Sequence, residues 1–127
     1  MKQYLLDTNI LIYYFNGDME GVVKNNVSTL MRESFQISVI SKMEFLGFPF
    51  NLQERQKAVQ FMECAMIRSL SDEIVQRVIE IRQEKRIKLP DAIIAATALQ
   101  YSAILVTRNT KDFKTLALET YNPFDSD

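Results

Sequence analysis

Four acidic residues stand where carboxylates could do chemistry. Asp7 directly follows the short apolar stretch Tyr4, Leu5 and Leu6, Glu44 closes Ser41-Lys42-Met43-Glu44, Asp91 follows Pro90, and Asp112 precedes Phe113. Taken singly, each has a structural reading: Asp7 as a helix N-cap, Ser41 with Glu44 as a capping box, Asp91 as an acid favoured by a helix dipole, Asp112 as a solvated loop residue. Taken together they suggest a site, because carboxylates that converge repel one another unless they are protonated or bridged by a cation. A hard divalent ion such as Mg2+ or Mn2+ accepts oxygen donors and keeps waters, and it can neutralise charge on a phosphoryl group. The reaction expected of such a set is phosphodiester hydrolysis. The chain has no histidine, the usual general base near neutral pH and the commonest zinc ligand, so catalytic triads, Cys-His pairs and ordinary zinc sites are disfavoured.

The elements that must position these acids follow from the hydrophobic pattern. Residues 4–6 read as a strand running into a helix over 10–15, and Asn16, Gly17 and Asp18 break it before a second helix over 19–33. A second strand is expected over 35–40. Ser41 is expected to open the next helix, placing Glu44 in its first turn, and Phe48, Pro49 and Phe50 form an aromatic turn at its end. A helix over 52–66, a short strand over 66–70 and a helix from Ser71 to the basic turn at 85–88 come next. Pro90 sits where a helix accepts proline, and residues 91–101 are apolar around the circumference, the mark of a helix buried on most sides. Residues 103–107 read as a fourth strand, 108–111 as a polar loop and 116–121 as a possible last strand. Strands alternating with helices imply a three-layer α/β fold, with a mostly parallel central sheet of four to five strands flanked by helices. Ligands of such sheets bind at the carboxyl ends of the strands.

At 127 residues the chain is expected to be a single domain over 1–127 with a substantial core. The formal net charge of -1 offers no global basic field for a polyanion. Two local clusters remain: Arg108, Lys111 and Lys114 around Asp112, and Lys85, Arg86 and Lys88 ahead of Asp91. Either could grip a nucleic-acid backbone or simply be solvated. Tyr13, Tyr14 and Phe15 are expected mostly in the core, whereas the turn at Phe48 to Phe50 is a candidate apolar contact surface. No apolar stretch approaches the ~20 residues of a membrane span, and the single cysteine, Cys64, suits a reducing compartment. The expected location is cytoplasmic, with no membrane partner.

In order along the chain, Leu6-Asp7-Thr8-Asn9, Ser41-Lys42-Met43-Glu44, Leu89-Pro90-Asp91-Ala92-Ile93-Ile94-Ala95-Ala96 and Thr107-Arg108-Asn109-Thr110-Lys111-Asp112-Phe113 resemble the successive motifs of the PIN-domain family, and more narrowly those of the VapC-type toxins of prokaryotic toxin–antitoxin pairs. The resemblance runs from about residue 3 to residue 124. It implies an endoribonuclease dependent on Mg2+ or Mn2+, a homodimer, and a cognate antitoxin protein that occupies the active-site groove. It further implies that Asp7, Glu44 and Asp91 are metal-site acids joined by Asp112, with Thr8, Asn9, Thr107 and Asn109 in support. The family often has an acid where this chain has Asn109, which puts a second metal in doubt. Without histidine for a cyclising route, the RNA products are expected to carry a 5′ phosphate and a 3′ hydroxyl. A catalytically inactive PIN-like binding module is the competing reading. A haloacid-dehalogenase-like phosphatase would want a second Asp at position 9, and a receiver domain would want an early acidic pair.

Overall fold

The computed structural model describes residues 2–125. Five short strands, β1 (Tyr4–Leu6), β2 (Gln36–Ser38), β3 (Met66–Arg68), β4 (Ile104–Val106) and β5 (Thr120–Tyr121), form one sheet in the order β3-β2-β1-β4-β5. Every pairing is parallel. Six α-helices provide the crossovers: α1 (Thr8–Phe15) and α2 (Gly21–Glu33) between β1 and β2, α3 (Val39–Leu46) and α4 (Leu52–Glu63) between β2 and β3, and α5 (Asp72–Glu84) and α6 (Leu89–Gln100) between β3 and β4. A 3-10 turn, Thr110–Phe113, lies between β4 and β5.

The strands separate the core into two sides by the two-residue period of extended chain. Leu6, Ile37 and Val106 pack with Ile10 and Leu11 of α1, Val27 and Leu30 of α2, Phe45 of α3 and Met62 of α4. Leu5 and Leu105 point the other way, against Ile94, Ala95 and Ala98 of α6, and α5 covers the outside of α6 through Ile74 and Val78. Helix α6 is therefore enclosed, with Ala92 through Ala98 all buried. Its small residues let sheet and α5 approach closely from opposite sides. Among the described residues no helix is long and apolar enough to cross a membrane.

Several local expectations shift. Helix α3 begins one turn earlier than the residues around Ser41 suggest, because Ser38 is the cap: its hydroxyl accepts from the Ile40 N–H. Ser41 is then a buried residue inside the helix, and Glu44 falls in its second turn. The true capping box is Asn51 with Glu54, which starts α4. Strand β2 is shorter than expected because the chain turns helical at Val39, and β5 keeps only Thr120 and Tyr121 of the 116–121 stretch.

The aromatic residues bind the helical layer on the α1 side together. Phe15 meets Phe45, Phe50 and Phe61 with ring centroids 5.3, 5.6 and 5.8 Å apart, and Tyr14 stacks on Phe61. Tyr13, Tyr14 and Phe15 thus pack on the core while partly exposed. In the turn after α3, Phe50 joins this cluster and Phe48 remains 58% exposed.

Candidate active site

In a parallel sheet built outward from β1, the chain leaves β1 toward β2 but leaves β4 toward β5, so the crevice between the carboxyl ends of β1 and β4 is the topological switch point. Asp7 and Thr107 stand on its two sides. The Asp7 backbone N–H continues the ladder to the Val106 carbonyl at 2.9 Å. The Asp7 side chain caps α1, its Oδ1 accepting from the Thr8 N–H at 2.7 Å, and its Oδ2 accepts from the Thr107 hydroxyl at 2.8 Å. Thr107 in turn accepts from the Asn109 N–H at 3.0 Å, which fixes the start of the β4–β5 loop.

Thr8 reaches the second acid. Its hydroxyl donates to Glu44 Oε1 at 2.6 Å and lies 2.9 Å from the Ser41 hydroxyl. A threonine has one hydroxyl proton, and a carboxylate is the stronger acceptor, so the pattern is best satisfied with Ser41 donating to Thr8 and Thr8 to Glu44. Ser41, expected to cap and open the helix, instead supports Thr8 from within α3. Its burial at a helical position facing α1 is visible only once α1 and α3 are packed together.

Asp91 is the third residue of α6. Because α6 runs antiparallel to the strands on its way to β4, its N-terminus arrives at their carboxyl edge. Asp112 comes from the 3-10 turn, which is anchored beneath it by the buried Phe113 among Leu5, Ile94 and Leu105. Asn9 lies exposed on the first turn of α1 and Asn109 caps the 3-10 turn through its backbone.

The electrostatics join these residues. Burial pushes the Asp7 carboxyl above the ordinary carboxylate range; the Thr107 hydroxyl and Thr8 N–H pull it back, and the negative charges of Asp91 and Glu44 push it up again. No cation is among these influences. Burial also raises Asp91, followed by the charges of Asp112 and Glu44, with Lys88 opposing them. The four acids thus form one chain of mutual repulsion centred on Asp7 and Asp91. They are not drawn into contact: among the described residues, no three Asp, Glu, Cys or His side chains are gathered closely enough to hold an ion as they stand. Glu44 and Asp112 are exposed, and Glu44 is hydrogen-bonded to Thr8.

The basic residues divide. Arg86, Lys88 and Lys111 share a cavity of about 400 Å³ with Asp91 and Asp112. Arg108 lies with its guanidinium 4.4 Å from the Phe124 ring centroid and 5.4 Å from that of Tyr13. Lys114 follows the 3-10 turn at its exposed C-terminal end, and Lys85 caps α5.

A three-layer, all-parallel α/β fold with interacting carboxylates at its switch point defines the class of protein. The chain belongs to the PIN-domain family, whose sequence profile matches residues 4–118. Among curated protein sequences no significant match is found. Among solved structures it is similar to a toxin–antitoxin complex from Klebsiella pneumoniae, at 33% identity and a TM-score of 0.78 over 96% of this chain and 98% of that one. It is also similar to VapBC2 from Rickettsia felis bound to a DNA fragment from their promoter, at 27% identity and a TM-score of 0.80 over 94% and 98% of the two chains. VapBC-1 from nontypeable Haemophilus influenzae shares the fold, at 24% identity and a TM-score of 0.79 over 97% and 99%. The resemblance carried by the four motifs is thereby borne out at the level of family and fold.

Proposed function

We propose that this chain is a divalent-metal-dependent endoribonuclease and the toxin component of a toxin–antitoxin pair. The observation that carries the reading is the mutually repelling pair of buried Asp7 and half-buried Asp91 at the carboxyl edge of the sheet, reinforced by Glu44 and Asp112, with no cation compensating Asp7. Hard oxygen donors with uncompensated negative charge are the donor set that suits Mg2+ or Mn2+. Asp7, Glu44, Asp91 and Asp112 would hold the ion, which when bound supplies Lewis acidity and a nucleophile at neutral pH. The protein's own groups do the orienting. Thr107 and the Thr8 N–H fix both oxygens of Asp7, Thr8 fixes Glu44, and the α6 N-terminus beside Asp91 offers a positive dipole end to an incoming phosphate. Attack of water on phosphorus with cleavage of the P–O3′ bond and protonation of the departing 3′ oxygen leaves a 5′ phosphate on one fragment and a 3′ hydroxyl on the other.

Likeness to toxin–antitoxin complexes supports a cognate antitoxin as partner, and exposed Met43, Phe48, Leu52 and Val59 on and around α3 and α4 provide apolar surface for it or for a second copy in a homodimer. The proposed location is cytoplasmic. The test is cleavage of total bacterial RNA by antitoxin-free protein in Mn2+, in Mg2+ and in EDTA, with fragment ends mapped. Discrete cuts with 5′ phosphates are expected, abolished by EDTA and reduced on the order of 100-fold or more in Asp7→Asn. The looseness of the acid cluster favours one second reading, a PIN module that binds without cutting. Thermal stabilisation by metal with no cleavage would select it.

A further inference from the structure

The cavity between the α5–α6 loop and the 3-10 turn is lined by Arg86, Lys88, Asp91, Lys111, Asp112 and Thr115. Its cations come from two segments separated in sequence, and all three are exposed. Lys88 is the informative one. It is the N-cap of α6 and makes no side-chain capping bond. That position normally holds Ser, Thr, Asp or Asn, and a cation there opposes the positive end of the helix dipole. Lys85, by contrast, caps the C-terminus of α5, where a positive charge favours the helix and calls for no other explanation. Lys88 offsets part of the negative charge of Asp91 and adds positive charge to an N-terminus already suited to anions, and Arg86 and Lys111 line the same cavity.

We infer that Arg86, Lys88 and Lys111 form a phosphate subsite, taking the backbone phosphate of single-stranded RNA adjacent to the one cut at Asp7 and Asp91. This rests on the reading of the chain as a ribonuclease. Three cations in a concave space beside the acids meet the needs of a phosphodiester one nucleotide away from an acidic centre, which by itself repels the strand. Arg108 is outside the subsite, stacked on Phe124 and Tyr13, and Lys114 does not line the cavity.

The test is binding of a fluorescein-labelled 12-nucleotide single-stranded RNA in EDTA, read by anisotropy between 50 and 200 mM NaCl. Each cation removed should flatten the slope of log Kd against log salt by about 0.7, hence by about 2 for the triple variant Arg86→Ala, Lys88→Ala, Lys111→Ala. Arg32→Ala, a surface cation on α2, serves as comparator and should keep the wild-type slope. Lys88→Ser guards against a merely structural effect. A good N-cap replaces a poor one, so Tm should rise while RNA binding weakens. A triple variant with the wild-type slope overturns the subsite and leaves its charge to a protein partner or to solubility. Wild-type cleavage in Mn2+ is measured separately, so an active enzyme with an unchanged slope loses only the subsite, whereas an inactive protein that binds RNA with the expected slope change loses only the nuclease reading.

Discussion

Asp7 serves two demands that pull in opposite directions. As the cap of α1 it must accept hydrogen bonds, which favours the carboxylate; buried beside Asp91 and Glu44 it is pressed toward the neutral acid, and the second influence dominates. A folded-state pKa raised above the unfolded value means that the native state binds the proton more tightly. This contribution to stability is present below the ordinary value of 3.8 and is lost as pH rises through the raised value. In EDTA at pH 7, Asp7→Asn should therefore melt at a higher temperature than the wild type, with the gap closing as pH is lowered toward 4; parallel melts at the two pH values check this. Metal should reverse the order, since an ion present at one hundred times its Kd adds about 2.7 kcal/mol to the form that binds it. Thr107→Val removes the donor to Asp7 Oδ2 and should weaken metal affinity by roughly 10–100-fold, read by titration calorimetry, with the fold intact. Asp7 was legible in the sequence because a strand ending in Asp-Thr-Asn is a local signal. Ser41 was not, because its role exists only across the α1–α3 contact.

At the scale of elements, α6 was readable almost to the residue from Pro90 at its start and its apolar circumference. Its ending was not. Ser102 sits at φ 51°, the left-handed conformation, and the Ala103 N–H bonds to the Ala98 carbonyl at 2.8 Å while the Ser102 N–H bonds to Leu99 at 3.3 Å. This is a Schellman termination with serine where glycine is usual. Ser102→Gly should relieve that strain and stabilise the protein by about 0.5–1 kcal/mol, seen as a Tm increase of roughly 2–4 °C. The start of α3 misleads from sequence for a related reason. Ser38 and Ser41 are both sound caps by composition, and only the docking of β2 beside β1 decides that the chain turns at Ser38, burying Ser41 against Thr8.

At the scale of the molecule, the alternation of strands and helices made the layered architecture legible, but the strand order was not, since the rule that crossovers are right-handed does not say on which side of β1 the fourth strand inserts. Nor did local pattern reveal that Arg108 closes the C-terminal segment onto α1 through Phe124 and Tyr13, whose rings meet edge to face at 5.5 Å. Arg108→Ala should cost about 0.5–1 kcal/mol, measured by denaturant melts. The insertion of β4 beside β1 has a further consequence, one of timing. Asp7 is synthesised well before its Thr107 partner, which lies 100 residues later, and Asp91 and Asp112 also come after β3. A growing polypeptide that emerges from the ribosome N-terminus first therefore presents Asp7 and Glu44 long before the other half of the crevice exists. The carboxylate site is therefore complete only once β4 and the 3-10 turn have folded onto β1.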